Sequence, residues 1–110
     1  MTRSPDAHEV KIEVDGRVAA VADVSGTADP AVVHSAMHVE SGHLPPGTRS
    51  KLVDAVLDDP QVSHASHLSA SMPAGDTELI DRVRQRAEAV EIRAAGATKL
   101  VEAELRPDDR

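Results

Sequence analysis

Residues Ser41–Pro60 read SGHLPPGTRSKLVDAVLDDP. Pro45, Pro46 and Gly47 keep the first half out of any regular ladder, whereas Leu52, Val53, Val56 and Leu57 recur at helical spacing in the second. The spacing predicts a loop feeding a helix that is capped by Thr48, crowded at its far end by Asp58 and Asp59, and stopped by Pro60. A strand-like run precedes this stretch and another follows it. The unit therefore reads strand, Gly-containing turn, helix, strand, an order in which the first amides of a helix commonly receive a phosphate.

Upstream, Val10, Ile12 and Val14 alternate with Glu9, Lys11 and Glu13, the signature of a half-buried strand. Asp15-Gly16 is a hairpin turn, and residues 17–24 form a second strand, apolar on both faces and so set further inside the sheet. Residues 31–40 admit two readings, a helix opened by Asp29-Pro30 or a third strand with Val33, Met37 and Val39 on one face and His34, Ala36 and His38 on the other. The strand is preferred, because the loop and helix that follow need a strand to leave from. Downstream, residues 62–72 alternate as a strand, and Pro73-Ala74-Gly75 breaks it. A second helix follows, capped by Asp76 or Thr77, with Leu79, Ile80, Val83 and Ala87 as its apolar stripe. An extended pair near 90–94 and 98–105 closes the chain around Gly96. The expected architecture is α+β: a mixed, mostly antiparallel sheet of about six strands with two helices, in the order β-β-β-α-β-α-β-β. Residues 8–105 are read as one domain, with 1–7 and 106–110 as polar tails.

Composition narrows the function. The 110 residues carry 12 Lys and Arg against 19 Asp and Glu, a formal charge of −7, which argues against nucleic acid or an anionic membrane as the partner. There is no cysteine, hence no disulfide and no thiolate chemistry. The start, MTRSPDAH, has no apolar signal region, so the expected location is cytoplasmic. There is no Phe, Trp or Tyr. The core must be built from Val, Leu, Ile, Ala and Met, and stacking of a base on an aromatic platform is excluded.

The run from Ile12 to Leu57, with VDGRVAAVADV as hairpin and SGHLPPGTRSKLVDAVL as loop and helix, resembles the central part of the GNAT acyltransferase superfamily. ELIDRVRQRA and EIRAAGATKLVEAEL look like its later helix and closing strands, so the resemblance covers most of residues 9–105. The family's first strand and two opening helices have no counterpart in the sequence. The resemblance implies acyl-CoA as the ligand, its pyrophosphate held by the amides that open the helix, at Gly47, Thr48, Arg49 and Ser50. Gly47 matches the central glycine of the family's turn. Leu44 stands where that turn has Arg or Gln, Arg49 where it has a small residue, and Pro45 and Pro46 remove two N–H donors. On the catalytic side the analogy offers Glu40 as the base, against the ordinary reading of a solvated strand-end carboxylate. The tyrosine that returns a proton to the thiolate in many family members is absent.

Six histidines raise a metal site. His34, His38 and His43 would come together were residues 31–40 helical; on a strand, His34 and His38 share a face but lie about 13 Å apart, too far for one ion. Arg82, Arg84, Arg86 and Arg93 alternate with Asp81, Glu88 and Glu91 and read as a charge-paired solvent face. Three functional readings result: a non-catalytic module that binds a protein partner or itself, a divergent acyl-CoA-dependent N-acyltransferase, and an unrelated small α+β accessory protein. An aromatic-free core and an exposed sheet edge also lead us to expect a homodimer.

Overall fold

The computed structural model describes residues 7–40 and 44–105. Strands β1 (His8–Val14), β2 (Arg17–Gly26) and β3 (Val32–Val39) lead into helix α1 (Thr48–Asp58) and a single turn, α2 (Pro60–Ser63). Strand β4 (His67–Pro73), helix α3 (Thr77–Arg86) and strands β5 (Ala89–Ala95) and β6 (Thr98–Glu104) complete the order. One six-stranded sheet runs β1-β2-β3-β4-β6-β5, antiparallel except for the β3–β4 pair. Residues 31–40 are thus extended, as the preferred reading has it.

The local chemistry accounts for the turns. Asp15 and Gly16 both take positive φ, 53° and 80°, which is what a hairpin whose twist matches its strands requires. Close to that turn, Ile12 pairs with Ala20 but Glu13 pairs with Val18, so Ala19 is an extra residue, a bulge. Its carbonyl accepts the Glu40 N–H at 2.8 Å and ties down the chain as it leaves β3.

The sequence reading places the fourth strand five residues too early. Pro60 does end α1, but it also opens α2: Asp59 caps the turn by accepting the Gln61 N–H at 3.0 Å, and proline occupies the first helical position, where its missing N–H costs nothing. Val62, read as the start of an alternating strand, is instead buried on this turn, and the strand begins at His67.

Helices α1 and α3 lie side by side on one face of the sheet. Leu52, Val53, Val56 and Leu57 of α1 and Leu79, Ile80 and Val83 of α3 meet Val24, Val33, Met37, Leu68, Met72 and Val101 in a single cluster. Without aromatic rings the volume is filled by branched aliphatics and two methionines, and Ala20, Ala22, Ala70 and Ala103 let the helices approach the sheet closely. Ser35 sits on this same face, 3% exposed, its Oγ without a hydrogen-bond partner. The opposite face carries polar rows, among them His34, Ser69, Glu102 and Glu91 on successive paired strands. Among the described residues no helix is long and apolar enough to cross a membrane.

Arg82 and Arg86 of α3 find their acidic partners on α1 and not, as the charge pattern suggests, on their own segment; within α3 Arg82 Nη1 donates only to Gln85 Oε1, at 2.8 Å. Arg82 grips Asp54 of α1 with Nε and Nη2, both at 2.9 Å, and Arg86 reaches Asp54 at 2.8 Å and Asp58 at 2.9 Å. Positions 82 and 86 are one turn apart on the flank of α3 that borders α1, so the neighbouring helix supplies the acids. The Arg82 hydrogen bonds hold the Asp54 carboxyl below the usual carboxylate range against the opposing effect of partial burial, with Arg86 adding to them. Glu102 is likewise lowered, first by the hydrogen bond from His67 and then by Ser69.

Two outcomes follow. Ser35→Ala removes an unsatisfied buried hydroxyl and raises unfolding stability by up to about 1 kcal/mol in urea denaturation. Asp54 and Glu102 have folded pKa values below their unfolded ones, so their stabilisation is present above the ordinary values of 3.8 and 4.5 and is lost as pH falls through the lower folded values. Asp54→Asn, at a half-exposed seam, costs about 1 kcal/mol at neutral pH and flattens the acid limb of a stability-versus-pH curve below pH 3.8.

Candidate functional site

Strands β3 and β4 pair in parallel from Val32–His67 to Ala36–Ser71 and no further, although β3 continues to Val39 and β4 to Pro73. Their C-terminal ends therefore part. A recess of about 170 Å³ lies at the divergence, between Met37 and His38 on one side and Ser71 and Met72 on the other. Beyond it is a cleft of about 440 Å³ bounded by Val39 and Glu40 after β3, Arg49 on α1, and Pro73, Asp76 and Glu78 after β4.

Both long helices begin at this cleft, because each follows one of the two parallel strands. The opening residue of α1 is Gly47, with φ 88° and ψ −4°, and its carbonyl accepts the first helical hydrogen bond, from the Lys51 N–H at 2.9 Å. Thr48 is not the cap predicted from sequence. It is the first helical residue, 3% exposed, and both its N–H and its hydroxyl donate back to the Pro45 carbonyl, at 3.2 and 2.8 Å. The turn needs a residue that tolerates left-handed φ, and with glycine there the threonine is displaced one position inward. A Cβ built on Gly47 meets nothing within 4 Å, so the protein itself requires glycine for its φ and not for close approach.

The other predicted ligand-binding side chains are engaged across the cleft. Arg49 Nε donates to Asp76 Oδ2 at 2.8 Å, an ion pair in which Asp76 is only 8% exposed. Ser50 Oγ donates to Glu78 Oε2 at 3.2 Å. Asp76 is at the same time the cap of α3, accepting the Leu79 N–H on Oδ1 at 3.4 Å. One carboxylate thus serves both helix starts, and Glu78 adds a second negative charge in the first turn of α3. Pro45 and Pro46 are exposed and do not fill the cleft. Glu40 lines it, but its carboxylate is held by Arg17 Nη1 at 3.3 Å.

Among the candidate metal ligands, His34 and His38 are both exposed on the helix-free face of β3, four residues apart on an extended strand, and His43 lies outside the described residues. No group of three or more metal-ligating side chains comes together among the described residues. Three other histidines have partners within the fold: His8 Nε2 lies 2.7 Å from Asp59 Oδ1, His64 Nδ1 lies 2.7 Å from the Pro60 carbonyl, and His67 Nε2 lies 2.6 Å from Glu102 Oε1, while Ser69 Oγ donates to the other Glu102 oxygen at 3.0 Å. The sequence gives Asp76 and Glu78 as helix-start residues. It has no signal for their partners, 27 and 28 positions away.

The fold as a whole has counterparts among solved structures. A GNAT-family acetyltransferase from Streptococcus pneumoniae superposes with a TM-score of 0.64 at 10% identity, over 93% of this chain and 68% of that one. The chain has the GNAT fold. A ribosomal-protein-alanine N-acetyltransferase from Brucella melitensis shares it with a TM-score of 0.61 at 16% identity, over 89% of this chain and 68% of the other. So does an N-acetyltransferase from Campylobacter jejuni solved with acetyl-CoA, with a TM-score of 0.60 at 8% identity, over 92% and 70%. No family model and no curated protein matches the sequence. At these identities what the chains share is the architecture.

Gly47→Ala should therefore act through backbone strain alone. We expect a loss of about 1 kcal/mol, read as a lower urea midpoint with an unchanged slope.

Proposed function

We propose that this chain is a GNAT-fold protein that works by binding and not by acyl transfer. The single observation that carries this reading is the Arg49–Asp76 ion pair at 2.8 Å. Arg49 is the cation nearest the opening of α1, and it is already neutralised by the cap of α3. Glu78 contributes a further charge, and Glu40 a third on the opposite wall. A pyrophosphate entering this cleft would meet three carboxylates and two guanidinium groups, Arg49 and Arg17, already committed to Asp76 and Glu40, so the charge of Glu78 is left to oppose it. The catalytic requirements point the same way: no tyrosine exists to protonate a leaving thiolate, and Glu40 is tied to Arg17.

A second reading, a divergent acyl-CoA-dependent N-acyltransferase, is favoured by a different observation. The strands do part, and α1 does open on a left-handed glycine with unoccupied space around it. In that case acyl-CoA would lie between β3 and β4, with the Arg49 and Ser50 amides, which have no intrahelical acceptor, turned to its pyrophosphate.

Titration of the 15N-labelled protein with acetyl-CoA separates the two. We expect no shifts at residues 47–51 up to millimolar ligand in the wild type, and measurable shifts there in the Asp76→Asn/Glu78→Gln double variant, in which Asn can still cap α3. Saturable shifts in the wild type, or release of free CoA in the presence of polyamine or peptide amines, would establish the acyltransferase reading instead.

A further inference from the structure

Among the described residues β5 is a terminal strand of the sheet, and its outer edge has a defined pattern. The β5–β6 hairpin closes on the Ala95–Thr98 pair across Gly96 and Ala97, with Gly96 at φ 66°. In a two-residue hairpin the closing pair exchanges both backbone hydrogen bonds. Counting back by twos, Ala89, Glu91 and Arg93 direct their backbone groups to β6, whereas Val90, Ile92 and Ala94 direct theirs outward.

The side chains add charge to this pattern. Glu91 and Arg93 stand on the helix-free face, both exposed, and among the described residues neither is in an ion pair. Glu91 sits directly opposite Glu102 on β6, a like-charge cross-strand pair, and Glu102 is already taken by His67 and Ser69. Arg93 is opposite Leu100. On the other face, Val90 and Ile92 are half-buried at the margin of the core.

We propose that two copies of the chain pair antiparallel through their β5 edges about a two-fold axis at Ile92, merging two sheets into one. In that register Ile92 faces Ile92 of the second copy with its backbone groups correctly turned, and Val90 faces Ala94. Glu91 of each copy faces Arg93 of the other. Each Glu91 then gains a guanidinium directly across the axis, whereas in its own chain Arg93 stands two residues further along the same face, where it acts on Glu102. Two-fold axes at Glu91 or at Arg93 would set like charges together, and axes at Val90 or Ala94 would leave both charges opposite alanines, so the Ile92 register is the one that pairs them. The other edge strand makes no such selection. On β1, Lys11 is already 3.7 Å from Glu9, and axes at Val10 and at Ile12 would each set it against a carboxylate. This inference goes beyond the cleft reading and does not rest on it.

The test is solution mass as a function of concentration for the full chain, by light scattering and sedimentation. The wild type is expected at twice 11.6 kDa at hundreds of micromolar. Glu91→Arg and Arg93→Glu each place like charges across the axis twice and should weaken the dimer roughly tenfold or more, with far-UV circular dichroism unchanged. The double exchange E91R/R93E restores the dimer. An equimolar mixture of the two single variants forms a heterodimer, since a chain with two arginines on that face then meets one with two glutamates. Amide exchange at Val90, Ile92 and Ala94 should slow with protein concentration. A monomeric wild type, single variants that dimerise as well as the wild type, or a mixture that stays monomeric would each overturn the proposal.

Discussion

The parallel pairing of β3 with β4 constrains most of what surrounds it. Two adjacent strands running the same way cannot be joined by a tight turn, so the chain must cross over, and it does so through α1 and α2. The consequence is positional. α1 starts where β3 ends, α3 starts where β4 ends, and since the strands are neighbours the two helix starts face one cleft. Each contributes a partial positive charge and unpaired amides. In this chain the charge is met from within: Asp76 caps α3 and holds Arg49 of α1, and Glu78 takes the Ser50 hydroxyl. An architecture suited to a bound anion has its own acids there.

The same crossover sets the helices side by side, and the seam between them depends on the core beneath. A core of Val, Leu, Ile, Ala and Met, without aromatics, has few large blocks with which to fix the angle of a helix. Asp54, gripped by Arg82 and Arg86, supplies a directional link along that seam, with geometry that short aliphatic side chains do not provide. The helix-free face of the sheet remains polar, and the uncovered strands lie at its two ends. The edge of β5 is the one whose unpaired charges are complementary to themselves under a two-fold rotation.

The local elements were legible because each is written in short-range chemistry. Alternation gives β1 and β4, Asp15-Gly16 gives the first hairpin, and the spacing of Leu52, Val53, Val56 and Leu57 gives α1. The element order was enough to point to the GNAT fold. The errors also have local causes. Pro60 signals both an end and a beginning, so α2 was hidden inside an apparent strand, and Thr48 satisfies the cap preference that Gly47 fulfils by conformation.

What the sequence determined by itself, then, is the first hairpin and the two long helices, and that neither aromatic stacking nor thiol chemistry is available, since these follow from residue types and their spacing. Tertiary structure alone decided that Arg49 meets Asp76, that Ser50 meets Glu78, and that Arg82 and Arg86 serve α1. These pairs lie 27 to 32 positions apart, and only the crossover between two parallel strands brings them within hydrogen-bonding distance. The electrostatic character of the cleft depends on those long-range pairs, which no local pattern in the chain encodes.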